Sequence, residues 1–223
     1  MTPIPEVEAA ILLLEMAVSF HLAGDRTEAD RLIRVADLPI LLDHYERAKH
    51  VADELHRLAP AGLAPKMRRP LANIHRVALH QRDGWRCRYC GSKVVDRDVG
   101  DRLRREYPDA VRWARNPPGR HSSVLISTAV YDLVVPPRRG GTTNLDNLVT
   151  SCWLCQAARS GRNFEDLGLH DPRSSAPLVD EWDGLRRLVD APARPAAGVT
   201  DAVTTAPIAT VVPAAGVGDA VAC

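Results

Sequence analysis

The chain of 223 residues has no run of 18 or more apolar residues, so it offers no candidate membrane-spanning helix. Its opening stretch, MTPIPEVEAA, has no basic segment ahead of an apolar one, and no signal peptide is expected. Cysteine is scarce: five in all, four of them in two Cys-x-x-Cys pairs. That usage argues against a secreted, disulfide-stapled domain and for a cytoplasmic protein. Charge of one sign is also lacking, since 29 Lys/Arg stand against 28 Asp/Glu for a net +1. Hydrophobic content of 45% and charged content of 26% fit a soluble globular protein of one ordinary domain with extensions.

The small net charge hides an asymmetry. Residues 1–65 balance to −5 and residues 164–223 to −5, whereas residues 66–163 carry 19 basic against 8 acidic side chains, +11. A basic middle between acidic flanks is the footprint of a nucleic-acid-binding module, the alternative being a solvated Arg-rich surface.

The first part, residues 1–60, reads as helical. VEAAILLLEMAVSFHLAG ends at Gly24, a natural residue for a left-handed helix stop. Asp25 with Glu28 three positions on forms a capping pair for a second helix, and a third begins near Pro39. Together they predict a small bundle that packs or binds a protein partner. His21, His44, His50 and His56 read as solvated or structural. Residues 61–70 read as a linker. LANIHRVALHQRDGW predicts a short helix stopped by Gly84. RDVGDRLRREYPDAVRWARNPPGR predicts an Arg-dense helix to Ala114 that could lie on phosphates, or bury Leu103, Tyr107, Val111 and Trp113. SSVLISTAVYDLVV is rich in β-formers and predicts one strand or two. A Pro/Gly loop (Pro136–Asn147), a strand and a helix carrying the second Cys pair follow. Residues 174–190 predict an amphipathic docking helix with Trp182, Leu185 and Leu188 on its apolar side. Residues 191–223, Ala/Val/Pro/Thr-rich and without aromatics, read as a disordered tail.

The two pairs, Cys87/Cys90 and Cys152/Cys155, can supply four thiolates to one tetrahedral Zn²⁺, which makes residues 71–173 a zinc domain. Two unrelated buried thiol pairs are the bland alternative. A thiol–disulfide oxidoreductase fits poorly, because the segment order around the pairs is not that of a thioredoxin-type unit. Gly91, just after the second Cys, predicts a turn with backbone amides facing the sulfurs.

RDGWRCRYCG, YDLVVPPRRGG, NLVTSC and CWLCQAAR together resemble the HNH endonuclease family, with a likeness to an actinobacterial subgroup in EYPDAVRW, His121 and FEDLGLHDPR. The resemblance implies an α+β chain whose core is a ββα-metal finger. It implies metal-dependent hydrolysis of phosphodiester bonds, in double-stranded DNA, with Mg²⁺ or Mn²⁺ beside the structural zinc. By the same likeness, Asp132 and Gln156 would hold the divalent ion, Asn147 would brace the general-base histidine, and Arg138, Arg139, Arg159 and Arg162 would contact nucleic acid.

The sequence departs from the family pattern at the base itself. Leu133 follows Asp132 where the family has His, Gln156 stands where Asn is usual, and Pro137 where the subgroup often has His. A leucine cannot accept a proton. The nearest histidine, His121, is the candidate substitute base. Two expectations follow: a nuclease working weakly or through another base, or a catalytically inactive zinc-stabilised module that binds nucleic acid or a protein partner.

Overall fold

Helix α1 (Pro5–Ala23) begins with Pro in its first turn and stops at Gly24, whose φ of 96° only glycine adopts without strain. It buries Val7, Ala10, Ile11, Leu14, Ala17 and Val18, a spacing of three and four residues that forms one face. Asp25 then caps α2 (Arg26–Ala36), its carboxylate accepting the Glu28 amide at 3.0 Å. Leu32, Ile33 and Ala36 of α2 meet the buried face of α1. This computed structural model describes residues 1–58, 73–116, 119–160, 162, 164 and 167–192, without the side chains of residues 56, 58, 73, 74 and 138. The sequence-expected linker (61–70) and nearly all of the tail (from residue 193) lie outside the described residues.

Helix α3 (Pro39–Leu58) does not close a three-helix bundle with α1 and α2. It packs mainly on α6 (Ser122–Ser127) and α7 (Trp153–Arg159), where Tyr45 stacks on Trp153 with centroids 4.1 Å apart. The N-terminal helices thus share one compact unit, residues 1–192, with everything downstream to Pro192. A common core joins Ile11, Leu14 and Ile33 to Val94, Val99, Leu103, Ile126 and Trp182, each fully buried large apolar side chain contributing about 1.5–3 kcal/mol.

Helix α4 (Asn73–Arg82) ends as expected at Gly84, φ 65°. Helix α5 (Arg97–Glu106) is shorter than the sequence suggested. Pro108 disfavours helical geometry at Tyr107, which takes φ −135° and ψ 60°, so the helix stops eight residues before Ala114. Leu103, Tyr107 and Val111 are buried as predicted, but Trp113 is 45% exposed.

SSVLIS is helical, not a strand. The Ser122 amide donates to Asp37 Oδ1 (2.7 Å), and His121 Nε2 donates to the Ile33 carbonyl (2.8 Å), fixing the helix start against α2 and its exit. Ser127 and Thr128 hydroxyls return to the carbonyls of Ser123 and Val124, both at 2.6 Å. Packing on α1 and α3 overrides the β-propensity of the stretch. The predicted docking helix is also curtailed: Gly184 and Leu185 have φ of 65° and 61°, and only α8 (Arg187–Asp190) is helical. A Cβ at Gly184 would lie 2.5 Å from the Trp85 ring, so close packing demands the glycine. Trp182, Leu185 and Leu188 are nevertheless buried, as their pattern predicted.

The sheet has two antiparallel strands, β1 (Val130–Leu133) and β2 (Leu148–Ser151), with Asp132 opposite Val149 and Leu133 opposite Leu148. The loop between them holds two short 3-10 turns, and α7 follows β2 directly. The chain is therefore α+β, with the order strand, loop, strand, helix that the sequence predicted for the segment ending at the second Cys pair. No helix among the described residues is long and apolar enough to cross a membrane.

Candidate metal centre and the Asp132 site

Cys87 and Cys90 sit on the turn after α4. The Cys87 amide donates to Ser92 O (2.9 Å) and the Gly91 amide, at φ 79°, donates to Cys87 O (2.8 Å). The amide found on a sulfur is not in this turn: it is Cys155 N, 3.4 Å from Cys152 Sγ. Cys152 is itself the N-cap of α7, so the helix start aims both of its cysteines at the turn. All four thiols are free, and their Sγ atoms lie within 4.8 Å of one another. Cys90 and Cys152 Sγ are 3.9 Å apart. Bonds of about 2.3 Å to a tetrahedral Zn²⁺ place sulfurs about 3.8 Å apart, so this edge has the right length. Ser92 Oγ lies 3.3 Å from Cys90 Sγ, a hydroxyl able to donate to a ligating thiolate, whereas the Ser151 hydroxyl, 3.9 Å from Cys87 Sγ, donates to the Cys152 carbonyl (2.9 Å). Hydrogen bonds from the Cys152 and Cys155 thiols hold Cys90 well below its ordinary value, while the contact with Cys152 drives Cys155 far above it. Four thiolates cannot share this volume without a cation. The cluster could hold a metal ion, and its donor set and spacing are compatible with a structural zinc.

Asp132 is built differently. Its Oδ2 pairs with the guanidinium of Arg159, which is fully buried, and accepts the Tyr89 hydroxyl at 2.8 Å. The same guanidinium donates to the carbonyls of Leu133 and Val134, the latter at 2.7 Å, and stands 3.4 Å from the Tyr89 oxygen. It lies over the Phe164 ring, 4.7 Å from the centroid. Gln156 donates its amide nitrogen to the Tyr131 carbonyl at 2.7 Å. Both oxygens of Asp132 are thus engaged within the chain, its cationic partner is an arginine, and Gln156 is tethered to β1 through its amide nitrogen. These residues do not fit a catalytic Mg²⁺ or Mn²⁺ site.

The remaining expected residues separate. Asn147 is buried and braces the loop: its Oδ1 accepts the Val135 amide (2.8 Å) and its Nδ2 donates to the carbonyls of Val135 (2.9 Å) and Thr142 (2.8 Å). His121 is fully buried at the head of α6, between Ile33 O and Ser123 Oγ (3.1 Å), and burial lowers its pKa. None of its hydrogen bonds reaches the Asp132 site. Arg159 lies in the interior rather than on a phosphate-facing surface. Arg162 is half-buried and donates to Ala158 O (2.6 Å). Arg139 is exposed, and the Arg138 side chain lies outside the described residues.

Sequence reasoning missed Tyr89. The available signal was an aromatic residue between two ligand cysteines, in CRYC, where the turn directs it onto β1. It also missed how much of the basic middle is spent internally. Arg76, Arg82, Arg86, Arg102 and Arg112 each pair with a carboxylate at 3.0 Å or less, and Arg88 donates to the carbonyls of Pro172 and Ser175. No protein-family model, no curated protein and no solved structure matches this chain.

Proposed function

We propose that residues 71–173 form a zinc-stabilised finger of the HNH type that binds nucleic acid and does not cut it. The carrying observation is the closure of Asp132 by buried Arg159, next to a leucine at the position the family uses for its base. The segment order β1, loop, β2, α7, with the second Cys pair at the head of α7, supports the family reading. Zinc on Cys87, Cys90, Cys152 and Cys155 would tie the turn after α4 to the β2–α7 junction and so hold the finger's shape. The basic balance of residues 66–163 and exposed Arg139 support a polyanionic partner.

Hydrolysis through Asp132 would need its carboxylate released from Arg159 and another group to take the water proton. Losing a general base alone costs about 10²–10⁴-fold in rate. The test is nicking of supercoiled plasmid with Mg²⁺ or Mn²⁺ by the native protein and by Leu133→His, each with its zinc content measured. We expect neither to nick above background while both bind the plasmid with a steep salt dependence. Nicking by the native protein that Asp132→Ala abolishes would overturn the proposal in favour of an endonuclease. Nicking by Leu133→His alone would show that Asp132 can still accept an ion, against the closed-site argument.

A further inference from the structure

Three of the four tryptophans are covered: Trp85 is 3% and Trp182 6% exposed, and Trp153 stacks on Tyr45. Trp113 is the exception at 45% exposed, in a stretch that supplies no side chain to the cysteine cluster or to the contacts of Asp132. It sits on a short hairpin between α5 and α6, with an isolated bridge to Arg120. Ala114 N donates to Gly119 O (3.2 Å) and His121 N to Arg112 O (3.0 Å). A side chain at Gly119 would overlap Ala114, so the glycine lets the two arms approach. Arg120 spans the hairpin, donating from Nε to Ala114 O (2.9 Å) and from Nη2 to Arg115 O (3.0 Å), with its guanidinium 4.6 Å from the Trp113 ring centroid. Arg104 of α5 stands 5.8 Å from the same ring.

The indole is thus held in place by its own backbone and by Arg120, yet nearly half of it faces solvent. Nothing in the chain gains from that exposure. Arg105, next in sequence to Arg104, and Arg115, two residues after Trp113, are exposed, and no ion pair holds either of them among the described residues. A rigid exposed indole with cations around it fits one partner chemistry well. An aromatic face stacks on any base, and guanidiniums take the phosphates on either side. A duplex hides its base faces and offers the indole only grooves. An acidic peptide would satisfy the arginines but leave the ring without a stacking partner.

We propose that the Trp113 hairpin is a contact surface for single-stranded nucleic acid, separate from the cysteine cluster and the Asp132 site and independent of whether Arg139 and the β1–β2 loop bind anything. The test uses the full chain and a labelled oligothymidylate of about 15 nucleotides, a length within the range one such surface covers. Binding is read by anisotropy, with intrinsic tryptophan quenching as a second signal and thermal melting as the check on folding. Trp113→Ala should weaken binding by about 10-fold or more with an unchanged melt, and Trp113→Phe should keep most of the affinity. Arg105→Ala with Arg115→Ala should reduce the salt slope by about 1.4, the increment for two phosphates on a single strand. Affinity unchanged in Trp113→Ala would overturn the proposal, as would a loss in Trp113→Ala equally large for duplex or for polyglutamate. Arg139→Ala separates the two readings. A loss of single-strand binding confined to Arg139→Ala assigns the contact to the β1–β2 loop and sinks the hairpin. A loss confined to Trp113→Ala supports the hairpin whatever that loop does.

Discussion

Two places in this chain gather groups able to ligate a cation, and they are finished in opposite ways. At the cysteine cluster four acidic thiols converge within 4.8 Å and no basic side chain is bonded to any of the four sulfurs among the described contacts. At Asp132 one carboxylate meets a fully buried arginine that also takes the carbonyls of Leu133 and Val134. A buried anion needs a counter-charge, because solvent no longer screens it. Where the chain supplies that charge, as Arg159 does, a free ion has nothing to neutralise. Where it does not, the anions are complete only with a metal. Resemblance placed potential metal ligands at both positions, and the source of the positive charge tells them apart.

The comparison breaks most visibly by removing the metal. Structural zinc is worth roughly 10–16 kcal/mol in small fingers, as much as the whole stability of a typical domain. Chelation, or Cys155→Ser, should abolish the cooperative thermal transition seen by circular dichroism, and the native protein should carry one zinc per chain. A melt that chelator leaves unchanged would mean that packing alone holds the four sulfurs together.

Next in size is Arg159→Ala. It strips a largely covered carboxylate of its charged partner and leaves two carbonyls without that donor, a change that costs about 3 kcal/mol. Urea unfolding should show that loss. Mg²⁺ should leave the melting temperature of the native protein where it is and recover part of the loss in the variant, by filling the place the guanidinium vacates. A native protein stabilised by Mg²⁺ would contradict the closed site.

What was legible in the sequence was local. The Gly24 stop, the Asp25 cap and the Cys-x-x-Cys spacings act over a few residues, and each is where it was read. What was not legible depends on partners far along the chain. Arg159 looked like a phosphate contact because its target, Asp132, lies 27 residues away, and only the crossing of α7 over β1 brings them together. SSVLIS looked like a strand because Asp37 and Ile33, which fix its first turn as a helix, lie 85 and 88 residues upstream of the groups they bind. Trp113 looked like core because its helix was drawn past Pro108. Resemblance named Asp132, Asn147 and Gln156 but could not say what their side chains touch.

A third charge in the interior sharpens the contrast, because it is avoided rather than paired. His80, at the end of α4, is fully buried with Nδ1 2.9 Å from Thr150 Oγ1, and burial pushes its pKa down to about 4. The unfolded chain takes up this proton near pH 6.5 and the folded one only near pH 4. Stability from His80 is therefore complete above pH 6.5 and is lost as pH falls towards 4, by about 3 kcal/mol at most. Cysteine protonation lowers stability over the same range, so the measurement is the difference between the native protein and His80→Gln. Urea midpoints of the two should converge as the pH falls from 7 to 4. Parallel curves would mean that His80 titrates normally in the fold.

The smallest effect is expected at Asn147, which carries no charge and holds no cation. Its side chain closes the loop between β1 and β2 with three hydrogen bonds, to both backbone groups of Val135 and to the Thr142 carbonyl. Asn147→Ala should cost about 1–3 kcal/mol and speed hydrogen exchange at the Val135 amide, with zinc content unchanged. Asn147→Asp should cost more than Ala: the carboxylate can still accept from Val135 N, but it puts negative charge against two carbonyls that had donors. A residue bracing a neighbouring imidazole would behave otherwise, since a carboxylate serves that role as well as an amide. The ranking of these two variants therefore decides whether Asn147 belongs to a reactive centre or to the loop, and the contacts of its amide predict the loop.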